Sequence, residues 1–109
     1  MAKDERAHVQ EAAAIAAARL GNVFLYDVVD DLAIGKAMDT NQAAPYFHSD
    51  SRVVGCNSTD ELAGSDIVIM TAGAPRREGM TRADLLKENL GVIAALAGEV
   101  AKHSPDATV

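Results

Sequence analysis

The chain has 109 residues, a formal net charge of −6 and a hydrophobic fraction of 49 %, which indicate one globular domain with a sizeable core. The acidic balance argues against non-specific nucleic-acid binding, and no apolar run approaches the ~20 residues needed to span a bilayer. Because the N-terminus has no apolar leader and Cys56 is the single cysteine, we expect a cytoplasmic, reducing environment.

The first half of the sequence predicts two helices separated by a strand. Asp4–Leu20 has apolar residues at helical spacing and ends at an arginine and a glycine, as helices commonly do. Asn22–Val29, "NVFLYDVV", is a short apolar run rich in β-branched and aromatic residues, which is typical of a buried strand. Asp30 or Asp31 then opens a second helix that stops near Pro45.

Two further strands flank a short helix. Residues 52–57, "RVVGCN", form the first, where Cys56 is expected as a buried strand residue rather than a nucleophile. Ser58 and Glu61 have the spacing of a capping box and predict a helix of one or two turns at "TDELAG". Residues 65–73, "SDIVIMTAG", give the strongest strand prediction, because a continuous apolar run is closed by a turn of small residues.

A long helix completes the pattern. Thr81 and Asp84 open it, and Lys102, His103 and Pro105 end it. Its inner face is predicted to carry Leu85, Leu86, Asn89, Ile93, Leu96 and Val100. The terminal "DATV" begins another strand. Strands that alternate with helices indicate an α/β fold with a mostly parallel sheet in a single domain over residues 1–109.

In such sheets ligands bind beyond the carboxyl ends of the strands. Asp27 and the segment from Thr71 to Arg82 fall at those ends. That segment gathers three arginines, Arg76, Arg77 and Arg82, in an acidic chain. They either bind an anionic ligand or are surface side chains that are solvated or pair with Glu78 and Asp84.

Three stretches carry a resemblance to a known family. They are "LYDVVDDLAIGKAMDTNQAAP", "STDELAGSDIVIMTAGAPRREGMTRADLLKENLGVI" and "KHSPDATV". From about Leu20 onwards the chain resembles the NAD-dependent malate dehydrogenases of the lactate/malate dehydrogenase family, in the N-terminal half of the dinucleotide-binding domain. The resemblance implies a partial, doubly wound Rossmann-type sheet with flanking helices.

The resemblance gives the arginine segment a role. It implies a loop that closes over a small dicarboxylate, malate or oxaloacetate, with Gly79 as a hinge. Arg76 matches the position that selects the remote carboxylate, and Arg82 matches the one that polarises the reacting carbonyl. Asn89 matches a substrate-site position near the nicotinamide, although a plain helix-face amide is an equal alternative. Arg77 is expected to be an ordinary surface arginine.

The same resemblance implies NAD as the cofactor. Asp27 matches the acid that binds the adenosine ribose and selects NAD over NADP, the alternative being a simple turn or capping aspartate. Thr71, Ala72 and Gly73 match the turn that the cofactor approaches closely. No metal-ligand spacing is found around Cys56 or the histidines.

The N-terminus departs from the family pattern. The Gly-rich fingerprint is replaced by Glu5, Ala7 and Gln10, although Gln10 still lies 17 residues before Asp27, close to the usual ~20. We expect the first, central strand to be missing, together with the catalytic histidine–aspartate pair of the family's second half. The three histidines of the sequence are expected to be solvated or to end helices.

Two functional hypotheses follow. The first is a malate dehydrogenase segment that is inactive as an isolated chain. The second is a non-catalytic, self-associating scaffold or interaction module built from a Rossmann half-domain. Both predict a homo-oligomer, because removal of a central strand leaves backbone edges unpaired.

Overall fold

The computed structural model describes residues 12–109. The chain divides into two compact units, Met1–Leu62 and Ala63–Val109. The α-helices are α1 (12–17 in the described part), α2 (Leu32–Ala43) and α3 (Arg82–His103). The strands are β1 (Val23–Tyr26) and β2 (Val53–Cys56). Two short 3-10 helices cover Ala44–Phe47 and Thr59–Leu62. The single-domain expectation stays a prediction.

The strands of the N-terminal unit pair in parallel. Val23 lies opposite Val53 and Tyr26 opposite Cys56, and the Val23 N–H donates to the carbonyl of Arg52 at 2.8 Å. The connection between the two strands runs through α2. This β-α-β unit confirms the prediction of an α/β fold with a parallel sheet.

The core of this unit is built from small side chains. Ala16, Ala37 and Val53 are each at most 3 % exposed and pack together, with Val23 and Leu25 against them. This packing agrees with the alanine-rich composition, because a helix lined with alanine can approach a strand closely.

Helix α2 passes very close to β2 at Gly55. A Cβ atom built on Gly55 would lie 2.3 Å from the Cα atom of Ile34. No side chain larger than hydrogen fits in that space, so glycine at this position sets the distance between helix and strand.

Several predicted boundaries of the N-terminal unit are wrong. The first helix ends at residue 17 rather than at Leu20, because Arg19 adopts a left-handed φ of 57° and Leu20 is 77 % exposed. Asp4 and the residues up to 11 lie outside the described part. The predicted strand over Asn22–Val29 is reduced to four residues, because Asp27 folds the chain into a turn by accepting from the Val29 N–H at 2.9 Å.

The short helix after β2 is a 3-10 helix over Thr59–Leu62 rather than a helix over all of "TDELAG". One half of the predicted capping box is present, since Glu61 Oε1 accepts from the Ser58 N–H at 3.2 Å. The same oxygen accepts from the Asn57 N–H at 3.2 Å. Glu61 therefore holds the end of β2 as well as the start of this turn.

In the C-terminal unit the strongest strand prediction is wrong in its extent. Residues 65–73 form only an isolated parallel bridge between Ile67 and Thr108, although the Val68 N–H donates to the Thr108 carbonyl at 2.8 Å. Ile67 and Ile69 are 69 % and 58 % exposed. An apolar run indicates which side chains tend to be buried, but a strand also needs a neighbouring strand along its length. In the part of the chain that the structure describes, Thr108 alone pairs with this run.

Helix α3 begins as predicted. Thr81 Oγ1 accepts from the Asp84 N–H at 3.1 Å, and the Asp84 carboxylate accepts from the Thr81 N–H at 3.0 Å, which completes a capping box. The predicted inner face is half-buried except for Leu86, which is 61 % exposed and is therefore a correction. Leu86 lies about 100° around the helix from Leu85, at the edge of the predicted face, which explains its exposure.

Within residues 12–109, no helix is long and apolar enough to cross a membrane. The same residues contain no group of three or more histidine, cysteine or acidic side chains placed to hold a metal ion.

Candidate cofactor and substrate site

The segment Thr71–Arg82, which we call the arginine loop, leads from the Ile67 bridge into α3. Thr71 and Gly73 are exposed, and Ala72 is half-buried. A tight turn forms its tip, where the Met80 N–H donates to the Arg77 carbonyl at 3.2 Å. Gly79 has a φ of 84°, a left-handed conformation that glycine adopts at little cost. A hinge role for Gly79 stays a prediction.

The three arginines of the loop have different environments. Arg77 Nη2 lies 2.5 Å from Glu88 Oε1 on α3 and forms an ion pair. Arg76 makes only a long hydrogen bond of 3.4 Å to the Met80 carbonyl, and within the described residues the Arg82 guanidinium has no hydrogen-bond or ion-pair partner. Arg77 is thus the structural arginine, as expected, although its partner is Glu88 rather than Glu78 or Asp84.

Asn89 joins α3 to the beginning of the loop. Its Oδ1 accepts from the Ala74 N–H at 2.7 Å. A Cβ atom on Gly73 would lie 3.4 Å from that oxygen and 3.7 Å from Nδ2, so the carboxamide covers one side of Gly73. The structure therefore brings Gly73 and Asn89 together. Substrate contact by Asn89 stays a prediction.

The capping box fixes the end of the loop. Hydrogen bonds from the Thr81 hydroxyl and then from the Thr81 backbone N–H lower the pKa of Asp84, because they stabilise its charged form. The ionised carboxylate also suits the positive N-terminal end of α3. Asp84 is committed to the helix start and does not pair with an arginine of the loop.

Asp27 lies at the carboxyl end of β1, in the N-terminal unit. Its Oδ1 accepts from the Val29 N–H at 2.9 Å, which makes it a turn aspartate. Within residues 12–109 its Oδ2 has no hydrogen-bond partner. One oxygen of Asp27 therefore shapes the turn, and the other is available for a ligand. Asp27 can thus be a turn aspartate and a ribose-binding acid at the same time.

Asp31, one of the two acids predicted to open α2, has a partner that the sequence did not indicate. Asp31 precedes α2 with a left-handed φ of 62° and makes no side-chain cap hydrogen bond to the helix. It is held by a reciprocal pair: the Asp31 N–H donates to Asn57 Oδ1, and Asn57 Nδ2 donates to Asp31 Oδ1, both at 3.0 Å. The aspartate doublet in the sequence signalled a helix start but gave no sign of a partner 26 residues away.

The histidines and Cys56 have structural positions that do not indicate a catalytic role. His48 is exposed at the end of a 3-10 helix, and His103 ends α3 with its Nε2 3.3 Å from Glu99 Oε2. Burial, followed by the charge of Glu61, raises the pKa of the Cys56 thiol, which is 0 % exposed. Glu5, Ala7, His8 and Gln10, around the predicted pyrophosphate turn, lie outside the described residues.

Comparison with known proteins identifies the domain. The family model for the lactate/malate dehydrogenase NAD binding domain matches residues 8–109. A malate dehydrogenase of Thermomicrobium roseum is 40 % identical over 95 residues, which cover 87 % of this chain and 31 % of that enzyme. The chain therefore spans about a third of the length of the curated relatives it matches.

Solved structures agree with this match. The apo malate dehydrogenase of Picrophilus torridus superposes with a TM-score of 0.87 at 34 % identity, over 91 % of this chain and 32 % of that one. The malate dehydrogenase of Archaeoglobus fulgidus in complex with NADH gives a TM-score of 0.83 at 33 % identity, over 91 % and 34 % of the respective chains. The β-α-β unit is thus part of a Rossmann-type domain, and the chain belongs to the lactate/malate dehydrogenase family, in its NAD-binding domain.

Proposed function

We propose that this chain supplies the adenosine-binding acid and the substrate arginines of an NAD-dependent malate dehydrogenase. The observation that carries the proposal is that one arginine of the loop is held in an ion pair while the other two are not. Arg77 is paired with Glu88, whereas the exposed Arg76 and Arg82 have little or no engagement within the described residues. Two unengaged guanidinium groups suit a small dicarboxylate, because Arg76 can bind the remote carboxylate through parallel hydrogen bonds while Arg82 polarises the reacting carbonyl.

The position of Arg82 strengthens this proposal. Arg82 is the first residue of α3, directly after the N-cap Thr81. A positive charge there faces the positive end of the helix dipole, which costs about 0.3–1 kcal/mol at an exposed site. An anion bound at Arg82 would reverse that cost, because both the guanidinium and the helix end attract it. Helix formation alone does not favour arginine at this position.

In the same proposal Asp27 binds the adenosine ribose through its free Oδ2. The 2′-phosphate of NADP would face this carboxylate, so NADP binds more weakly than NAD. Affinity for NAD itself is low, since Glu5, Ala7 and Gln10 replace the glycines that expose backbone amides to the pyrophosphate. Each lost charge-assisted hydrogen bond removes about 1.5–3 kcal/mol, which moves a micromolar site towards the millimolar range.

Titration of the ¹⁵N-labelled chain and its Asp27→Asn variant with NAD and NADP tests this. Asparagine keeps an oxygen that can accept from Val29 but removes the charge. We expect weak NAD binding that Asp27→Asn weakens further, together with a smaller preference for NAD over NADP. Tight NAD binding that is indifferent to Asp27 contradicts the proposed cofactor geometry.

We further propose that the 109-residue chain has no malate dehydrogenase activity by itself. It spans about a third of its relatives' length, and the described histidines, His48 and His103, end a 3-10 helix and α3. Hydride transfer from an alcohol needs a positioned base, which typically contributes 10²–10⁴-fold. NADH oxidation with oxaloacetate that is clearly above the buffer rate and is abolished by Arg82→Ala would overturn this.

A non-catalytic, self-associating module is the second candidate. The observation in its favour is the amount of apolar surface in the C-terminal unit, where Ile67, Ile69, Leu86 and Leu90 are each at least 58 % exposed. Where such side chains form one contiguous patch, the patch commonly marks an interaction surface. This candidate shares the proposed homo-oligomeric state and cytoplasmic setting, with neither a membrane nor nucleic acid as partner. This second candidate is favoured if the chain self-associates in light scattering but shows no binding of NAD in titration.

A further inference from the structure

Met80 closes the tip of the arginine loop through its sulfur as well as through its backbone. Its N–H donates to the Arg77 carbonyl at 3.2 Å, and its Sδ accepts from the Arg77 N–H at 3.4 Å. Its carbonyl accepts from Arg76 Nη2 at 3.4 Å. The backbone and the sulfur of Met80 together hold the turn, and the sulfur is the weaker of its two acceptors.

The thioether of Met80 is an oxidisable group in this turn. The residue is half-buried, and its neighbours Glu78 and Gly79 are exposed, so a small solute can approach it from solvent. A thioether sulfur has two lone pairs, and the Arg77 N–H uses one. Hydrogen peroxide transfers an oxygen atom to the other: the O–O bond breaks, an S–O bond forms and water leaves. The sulfur is oxidised to the sulfoxide and the peroxide is reduced.

We propose that Met80 is a redox-sensitive site, at which oxidation to methionine sulfoxide loosens the tip of the arginine loop. The sulfoxide is polar and carries an oxygen on the sulfur. The side chain therefore no longer fits its half-buried position beside the Arg77 N–H and turns towards water. The consequence for ligand binding rests on the proposed function, because the turn that loosens carries Arg76, one of its two substrate arginines.

Met38 provides a comparison with a methionine outside the loop. It is 58 % exposed on α2, and within residues 12–109 its sulfur has no hydrogen-bond partner. Peroxide therefore oxidises Met38 as well, but no hydrogen bond of the arginine loop involves it. Met38→Leu is thus the matched control. Met80→Leu is the test variant, because leucine keeps a similar apolar volume and removes the sulfur.

The ¹⁵N-labelled chain and both variants are treated with hydrogen peroxide, and mass spectrometry of tryptic peptides locates the added oxygen. We expect oxidation of Met80 to raise amide hydrogen exchange at Arg77 by about threefold, the lower end of what one net hydrogen bond contributes. Methionine sulfoxide reductases should restore the original rate. Met80→Leu should show the raised rate before treatment and no further change, whereas Met38→Leu should respond as the original chain does.

Two results would overturn the inference. The first is a Met80 sulfur that stays reduced under conditions that oxidise Met38, because the sulfur is then closed to peroxide. The second is unchanged exchange at Arg77 in the oxidised chain or in Met80→Leu, because the sulfur then holds nothing in the turn. The oxidised original chain supplies this measurement even if Met80→Leu does not fold.

Titration with malate separates this inference from the function on which it rests. We expect the oxidised chain to bind malate severalfold more weakly than the untreated chain, and reduction to restore binding. If the untreated chain gives no malate-dependent shifts, the proposed function and its control by Met80 both fail, while exchange at Arg77 still decides the structural half. Equal malate shifts before and after oxidation overturn the control by Met80 and leave the proposed function standing.

Discussion

The side chain of Asn41 on α2 makes two hydrogen bonds to the backbone of Val53 in β2. Asn41 Oδ1 accepts from the Val53 N–H at 2.9 Å, and Asn41 Nδ2 donates to the Val53 carbonyl at 2.7 Å. One carboxamide thus satisfies both backbone groups as a neighbouring strand would. The outer edge of β2 is closed at this point by a helix side chain.

Replacement of Asn41 by alanine leaves both groups of the buried Val53 without this partner. We expect Asn41→Ala to lower the free energy of unfolding by about 1–3 kcal/mol, the usual cost of unsatisfied buried polar groups. Urea denaturation measures it, with Gln42→Ala as the neighbouring exposed control. Equal stability of the two variants would show that solvent replaces the side chain at this edge.

Self-association should proceed at β1 rather than β2. Among residues 12–109 the sheet has two strands, and the Val23 N–H points to β2. By strand alternation the Phe24 N–H then faces the other edge. We expect the chain to associate at micromolar concentration and Phe24→Pro, which removes this donor, to shift it towards the monomer. A clean monomer of the original chain in light scattering contradicts the prediction.

Substitution by alanine should reduce the stability of the fold much more at Gly55 than at Gly73. At Gly55 the added Cβ atom would lie 2.3 Å from Ile34 Cα, whereas at Gly73 its nearest neighbour is Asn89 Oδ1 at 3.4 Å. We expect Gly55→Ala to cost about 1–3 kcal/mol or more, as overpacking does, because helix backbone must move. Gly73→Ala should fold with nearly unchanged stability. Similar thermal midpoints for the two variants would contradict this packing.

The start of α3 should weaken in acid. Because Thr81 lowers the pKa of Asp84 in the folded chain, the carboxylate stabilises the fold above its unfolded-state pKa, and this contribution is lost as pH falls through the lower, folded value. The loss therefore falls below about pH 4. The difference in stability between the chain and Asp84→Asn should be constant near neutrality and should shrink in acid. A difference that persists unchanged at low pH contradicts the assignment.

Cys56 should be unreactive in the folded chain. Its burial and the nearby Glu61 raise its pKa, which lowers the fraction of the nucleophilic thiolate. Because the pKa of this thiol is higher in the folded chain, its protonated form stabilises the fold below the unfolded-state pKa of about 8.5. This stabilisation is lost as the pH rises through the folded-state pKa. Labelling with a thiol reagent should be slow in buffer and rapid in urea. Rapid labelling of the folded chain would show that β2 opens readily.

The sequence predicted those features that depend on neighbours close along the chain. The Thr81–Asp84 capping box is a local pattern and is present as expected, and β2 lies within its predicted run. Pairing across the chain was not predictable in the same way. The run at residues 65–73 makes a single bridge, and the contact between Asp31 and Asn57 spans 26 residues.

Within the candidate site, the residue types indicated which ligand chemistry is possible but did not indicate the hydrogen-bond or ion-pair partner of each side chain. The sequence separated Arg77 from Arg76 and Arg82 only through the family resemblance, whereas the ion pair with Glu88 gives that separation a physical basis. For Asn89 the sequence left a ligand contact and a plain helix-face amide equally open, and in the structure its Oδ1 accepts from the backbone N–H of Ala74. A helix-face amide has the same appearance in a sequence whether it faces a ligand or a loop.

The anchoring of the arginine loop on α3 also limits how far its tip can travel. Arg77 is attached through Glu88, and Thr81 is attached through Asp84, so Glu78, Gly79 and Met80 alone lie between the two anchors. Four residue steps span at most about 14 Å when fully extended. The Arg77 anchor is an exposed ion pair and weakens as salt is added. When that ion pair opens, the tether lengthens to the segment between Ala74, which Asn89 holds, and Thr81. This longer segment includes Arg76, so ionic strength affects the distance that Arg76 can move towards an anion.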